Sequence, residues 1–359
     1  MIVRLLLFLL SAGLLIFLII QKKVRKWKKA GLILASLILV FFTGFHYLIP
    51  LLPPPEPTGD MEVLTDFVYY RYKSDIPEML THGDEREVPV KVWYPKGAKE
   101  NELPLLIFSP GSFGNENSNE TLFLELASRG YMVMGFNHPY HSFSSKMSDG
   151  SSIRVDFGFI NELMSSPGSK EVKSTLKSLN KWTDVRIDDI NIVLDKILDT
   201  IEDNDYEKYI DRNRIVLSGH SLGGSAALAV SRQKADYIRA LVILESPFAK
   251  DIVGIDGNKY VFTDVEYPLP ILHLYSDALY SNIDEIPQYG MNARLMKSDN
   301  PMYVNVHIEG VGHLGLTDMV LISPILTNMF DGGLDKRHAP ETLLELNGYV
   351  LKFLEEYNK

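Results

Sequence analysis

Cysteine is absent from this 359-residue chain. That excludes disulfides, a thiol nucleophile and any cysteine-ligated metal, and it fits either side of a membrane. Charge is missing from two long stretches. Ile2 to Ile20 is apolar and broken only by Arg4, and Gly31 to Leu52 contains no Asp, Glu, Lys or Arg. Each is long enough for one membrane crossing, which takes about 20 residues. Acidic residues are missing from the segment between them, Gln21 to Lys29, which carries six basic residues. A short basic loop stays in the cytoplasm, so both ends of such a hairpin, and everything after Leu52, are expected on the extracytoplasmic side of the cell membrane as a multi-pass anchor. Trp27 and Tyr47 sit where interfacial anchors belong. A cleaved signal peptide fits less well, because the dense basic cluster lies on the wrong side of the first run.

The net charge is −10, and setting aside the seven basic residues up to Lys29 leaves the remainder near −17. So acidic a domain argues against nucleic acid as a partner. Leu51 to Asp60 is rich in proline and reads as a stiff, extended spacer at 53–60 that would lift the following domain off the bilayer. From residue 61 onward, strand-like and helix-like segments alternate, which implies a mostly parallel, doubly wound sheet covered on both faces. Strands are expected at Glu62–Tyr72, Val88–Tyr94, Leu103–Ser109, Tyr131–Asn137, Arg214–Ser218, Ala240–Glu245, Ile271–Tyr275 and Val304–Ile308, and helices at Glu120–Arg129, Asp184–Ile201, Ser221–Ser231 and Pro340–Tyr357. In Asp184–Ile201 the apolar residues recur at helical spacing, so Arg186, Asp188 and Asp189 read as its solvated face.

The most informative stretch is Arg214 to Gly224, where an apolar strand runs into Gly219-His220-Ser221-Leu222-Gly223 and then a small-residue helix. A serine on so tight a turn has its hydroxyl thrust out of the backbone, and the flanking glycines let strand and helix approach closely. The amide of Leu222, first in the helix, is free to donate to a developing oxyanion. Ser221 is therefore the expected nucleophile. Its base is expected to be His313, in a glycine-rich turn just past the last strand, because the strands' C-terminal ends share one edge of such a sheet. His307 lies within that strand and reads as packed or surface, His338 as part of the last helix's cap, and His220 as packing. Two carboxylates at strand ends, Glu245 and Asp277, are equally placed to orient the histidine. The second oxyanion donor is expected in Pro110-Gly111-Ser112-Phe113-Gly114, as the amide of Ser112. His138 and His141 suggest a metal pair, but no third ligand follows at sensible spacing. Residues 143–183 form an excursion with an apolar helical face at Val172, Leu176, Leu179 and Trp182 within Lys170–Trp182. It reads either as a surface helix or as a lid over an acyl pocket.

The chain resembles the α/β-hydrolase superfamily, and within it the secreted and intracellular type II platelet-activating-factor acetylhydrolases and their bacterial relatives. The resemblance covers about residues 85–357 and rests on Phe108-Ser109-Pro110-Gly111-Ser112, Gly219 to Gly223, Val242 to Glu245 and Ile308 to His313. It implies an α/β-hydrolase fold behind the transmembrane hairpin, with the acid at Glu245 rather than Asp277. Relatives usually have Asp at that position, and His-Gly where Pro110-Gly111 stands here. It also implies hydrolysis of short-acyl or phospholipid-derived carboxylic esters through an acyl-enzyme on Ser221, with no cofactor and no metal. A peptidase or acyltransferase on the same triad is the alternative within the fold. A non-catalytic surface binding protein is the alternative outside catalysis, although no triad member is missing.

Overall fold

The structure, a computed structural model, describes residues 2–166, 171–199 and 206–359. Two helices open the chain, α1 (Ile2–Ile20) and α2 (Lys26–Leu48), both long and apolar enough to cross a membrane. They pack against each other, with Gly44 lying under the Phe8 ring and Ser11 Oγ hydrogen-bonded to Thr43 Oγ1 at 2.7 Å. Arg4 donates to the carbonyl of Pro50 at 2.6 Å, which removes the one charge of the first run from an unpartnered position.

The segment expected as a stiff, extended spacer is bonded to the domain. Leu52 N–H donates to the Leu321 carbonyl at 2.7 Å, Ser323 Oγ donates to the Leu48 carbonyl, and Thr58 gives both its amide and its hydroxyl to Glu125. Residues 51–61 are thus sewn along the domain instead of holding it away from the hairpin. The prolines cannot donate backbone hydrogen bonds, so the segment is held at its ends.

The domain is built on an eight-stranded sheet in the order β1 (Val63–Lys73), β2 (Glu85–Pro95), β4 (Met132–Phe136), β3 (Leu103–Ser109), β7 (Ile210–His220), β8 (Ala240–Leu244), β11 (Ile271–Tyr275), β12 (Tyr303–His307). Pairings involving β1 and β2 are antiparallel, and all others in this sheet are parallel. All eight expected strands are present. Strands β3, β4, β8 and β11 are buried end to end, which is why they read as unbroken apolar runs. On one face lie α5 (Val172–Leu198) and α6 (Leu222–Gln233), in a core with Ile190, Val193 and Leu194. On the other lie α3 (Glu120–Ala127) and α10 (Ala339–Tyr357), packed through Leu122, Phe123, Leu346 and Phe353.

Three additions interrupt this plan. The hairpin β5 (Ser144–Lys146) and β6 (Ser152–Arg154) leads into α4 (Phe157–Ser165), and a second hairpin joins β9 (Ile252–Asp256) to β10 (Lys259–Phe262). The short helices α7 (Gly290–Met296), α8 (Met319–Ile322) and α9 (Pro324–Phe330) fill the later connections. The two helices expected on either side of residue 183 are one continuous α5; Lys170 and Ile201, their outer ends, lie outside the described residues. The expected solvated face of α5 is a correction: Asp188 is exposed, but Arg186 and Asp189 are 0% exposed. The helix packs there against polar groups of the turn at 138–142, and each buried charge meets a partner, as burial requires.

Candidate active site

Six parallel strands deliver their C-terminal ends to one edge of the sheet, and the expected site residues follow those ends. After β7 the chain turns at Ser221, which has φ +53° and ψ −123°. This conformation is costly for a residue with a Cβ. It is held by the Ser221 amide donating to the Leu244 carbonyl at 3.0 Å. The glycines are obligatory. A Cβ on Gly219 would lie 2.6 Å from the backbone of Gly223, and one on Gly223 would lie 2.0 Å from the Ser109 carbonyl oxygen. Ser221 is half-exposed, whereas His220 and Leu222 on either side are buried.

His313 and Glu245 meet directly, Nδ1 to Oε1 at 2.7 Å. A carboxylate can only accept, so His313 donates from Nδ1 and keeps Nε2 free of any partner among the described residues. Glu245 sits immediately after β8 with φ +44° and is fully buried; its other oxygen accepts from the Ser276 amide at 2.5 Å. Burial pulls the His313 pKa down, but the hydrogen bond and charge of Glu245 outweigh it and raise it above its ordinary 6.5.

Asp277 serves a different histidine. It bonds His307 Nε2 at 2.8 Å and the Gly310 amide at 3.0 Å, bracing the turn after β12. His307 also stacks on Tyr280 with ring centroids 4.0 Å apart. His338 occupies the N-cap position of α10 without a side-chain cap bond.

The loop Pro110 to Gly114 follows β3 and lies against the turn: a Cβ on Gly111 would sit 3.0 Å from the Ser221 Cβ. The amides of Ser112 and Leu222 have no hydrogen-bond partner among the described residues. Beside them an apolar wall forms where Phe159 of α4 and Leu179 and Trp182 of α5 pack with Leu222, with Phe113 against them. Of the apolar face expected over 172–182, Val172, Leu179 and Trp182 are buried and Leu176 is half-buried, while Phe157 and Met164 of α4 are about four-fifths exposed.

His220 packs as expected, but its partner and the two carboxylates beside it were not foreseen. His220 is stacked on His313 with centroids 4.4 Å apart and donates from Nε2 to the His313 carbonyl at 3.1 Å. Burial and the neighbouring His313 push it well below 6.5, so it is a neutral donor. Asp331 accepts from the amides of Leu314 and Gly315, and Asp335 accepts from that of Gly312 at 2.7 Å, so two carboxylates clamp the histidine turn. The only hint was a glycine-rich turn whose amides have no strand to pair with.

Under the loop Pro110 to Gly114 lies a second array. Ser109 Oγ meets His138 Nε2 at 2.9 Å, and His138 Nδ1 meets Asp189 at 2.8 Å. Asp189 is also gripped in a fork by Arg86 at 2.7 and 2.8 Å. All four residues are fully buried. His141, the other half of the suspected metal pair, faces Arg186 instead, at 2.9 Å.

A family model described as alpha/beta hydrolase fold matches residues 104–266. A probable 1-alkyl-2-acetylglycerophosphocholine esterase of Arthroderma benhamiae is 28% identical over 159 residues, which is 44% of this chain and 35% of that protein. The chain thus aligns with about a third of that relative's length. Among solved structures, a ferulic acid esterase from Streptomyces cinnamoneus superposes with a TM-score of 0.61 at 19% identity, covering 84% of this chain and 92% of that one. Sequence profile, sheet order and the turn at Ser221 together identify the chain as a protein of the α/β-hydrolase fold.

Proposed function

We propose that this protein is a membrane-tethered serine carboxylester hydrolase. The reading is carried by one observation. A half-open serine on a positive-φ turn shares a sheet edge with a histidine whose Nδ1 is held by a buried carboxylate. In the proposed reaction, Nε2 of His313 takes the proton of Ser221 Oγ as that oxygen attacks the ester carbonyl. The carbonyl oxygen, now negative, lies between the Leu222 and Ser112 amides. Glu245 stabilises the imidazolium, which returns its proton to the departing alcohol. Water, activated by the same histidine, then releases the acyl group.

The apolar wall of Phe159, Trp182 and Leu222 favours an acyl chain on the oxyanion side of the serine. With the esterase activity named for the Arthroderma relative, this supports short-acyl or phospholipid-derived esters as substrates. The two apolar helices and the basic segment joining them support a tether with the domain outside the cytoplasm.

The test is labelling of intact cells with a membrane-impermeant fluorophosphonate. The wild type is expected to label and Ser221→Ala to remain dark at equal abundance. Labelling that persists in Ser221→Ala would move the nucleophile elsewhere, and labelling only after lysis would reverse the orientation.

A further inference from the structure

Arg186 is a buried cation bound almost wholly to backbone oxygen. Its Nη2 donates to the Gly111 carbonyl at 3.3 Å, its Nε to the Pro110 carbonyl at 3.4 Å, and its Nη1 to the Trp182 carbonyl at 3.1 Å. Nη1 also donates to His141 Nδ1. Burial and the nearby charges of Arg186 and Arg86 hold His141 down to about 2, so it stands there as a neutral acceptor. No carboxylate bonds to Arg186 among the described residues; Asp189, three residues on, is gripped by Arg86.

The Gly111 carbonyl and the Ser112 amide belong to one planar peptide unit, and in a trans unit they point in opposite directions. Holding that carbonyl toward α5 therefore turns the Ser112 N–H away from α5. A glycine at 111 offers little intrinsic resistance to a flip of this unit, and Pro110 supplies no N–H to anchor it. The flanks are fixed by other means: the Phe113 amide bonds the His141 carbonyl at 3.0 Å, and Ser109 is held by His138. The Gly114 amide also reaches the Gly111 carbonyl, at 3.2 Å, closing a tight turn.

We infer that Arg186 is the positioning residue of the oxyanion hole, setting the 111–112 peptide so that the Ser112 amide is presented to the developing negative charge. The guanidinium fork matters, because one planar group reaches two successive carbonyls and a ring nitrogen at once, which an ammonium on a flexible stem does not reproduce. His141 completes the clamp and is itself covered by the Phe159 ring, stacked at 4.0 Å, so α4 seals the same assembly.

This inference rests on the reading of Ser221 as nucleophile. The test uses the full-length protein in detergent, with Arg186→Lys and Arg186→Met. Active sites are counted by fluorophosphonate stoichiometry, and kcat and KM for p-nitrophenyl butyrate are expressed per labelled site. Affinity for a trifluoromethyl ketone, whose adduct carries the oxyanion, is measured in parallel. Because the donor is misaimed rather than removed, kcat per site is expected to fall about 10- to 100-fold, less than the 10²–10³ of outright donor loss. KM should stay within about threefold, and ketone affinity should fall with kcat, the signature of an interaction made only in the transition state. Arg186→Lys keeps a buried cation and decides the matter. A kcat per labelled site within about twofold of wild type, or a loss confined to KM or to the fraction of protein that folds, would overturn the inference. A wild type that neither labels nor hydrolyses ester would instead overturn the underlying reading of Ser221.

Discussion

Two serine–histidine–carboxylate arrays lie within one domain, on either side of the loop after β3: the one proposed to be catalytic and a sealed one beneath the loop. Ser109, His138 and Asp189 are connected by short hydrogen bonds, yet all are sealed from solvent. Burial drives His138 down to about 4 against the opposing hydrogen bond and charge of Asp189, and the charges of Arg186 and Arg86 lower it further. Glu245 has no cation but His313 to face among the described residues, and it lifts that histidine above 6.5 despite burial. Serine, histidine and a carboxylate thus give a neutral strut in one place and, in the proposed reaction, a base in the other. Access and the carboxylate's other partner decide which.

The sharpest way to break this contrast is to exchange the loss. Ser221→Ala should abolish turnover and labelling, whereas Ser109→Ala should keep both and cost about 1–3 kcal/mol of stability for the unsatisfied histidine nitrogen. Turnover measured beside denaturant melts reads the two together; a dead, stable Ser109→Ala would reverse the assignment. Next in size, Glu245→Gln removes the charge facing His313 and should lower kcat about 10³–10⁴-fold with the fold intact. It should also shift the pH profile. Catalysis needs the neutral imidazole, so wild-type kcat/KM should rise with pH through a midpoint above 6.5, and in Glu245→Gln the residual rate should titrate lower. An unmoved midpoint would detach Glu245 from the titrating group.

Asp189→Asn tests the structural array from the other end. It leaves Arg86 buried without its countercharge and should cost about 3–5 kcal/mol. Burial opposes the Asp189 charge, but Arg86 and His138 hold its carboxyl far below the usual range, so this contribution is present above the unfolded-state pKa and is lost as acid protonates the folded carboxylate. Acid unfolding followed by circular dichroism should therefore flatten in Asp189→Asn. Wild-type acid sensitivity in that variant would place the stabilising charge elsewhere.

Much of this was legible in the sequence. The strands of the main sheet announce themselves because strands covered on both faces must be apolar throughout, as in Leu103–Ser109 and Ala240–Leu244. Ser221 was legible because its turn tolerates only glycine at 219 and 223. The pairing of His313 with Glu245 was not fixed by pattern: Glu245 and Asp277 both end apolar strands, and only the fold gives Asp277 to His307. The buried charges of α5 were misread for a physical reason. Helical periodicity separates apolar from polar positions, but not water from a buried polar partner. Arg86, His138 and the carbonyls of Pro110 and Gly111 come from other parts of the chain. The hairpin β9–β10 was missed because its four- and five-residue strands are partly exposed and carry little apolar signal.

The stitching of residues 48–61 has a mechanical outcome. A domain joined by a loose leash samples many attitudes and meets whatever drifts near. Here the exit of α2 is fastened to Leu321 and Ser323, and these lie fewer than a dozen residues beyond the histidine turn. The helices therefore act as a fixed mount. In the proposed membrane-tethered arrangement, they carry the sheet edge of Ser221 and His313 at a set height and tilt relative to the bilayer.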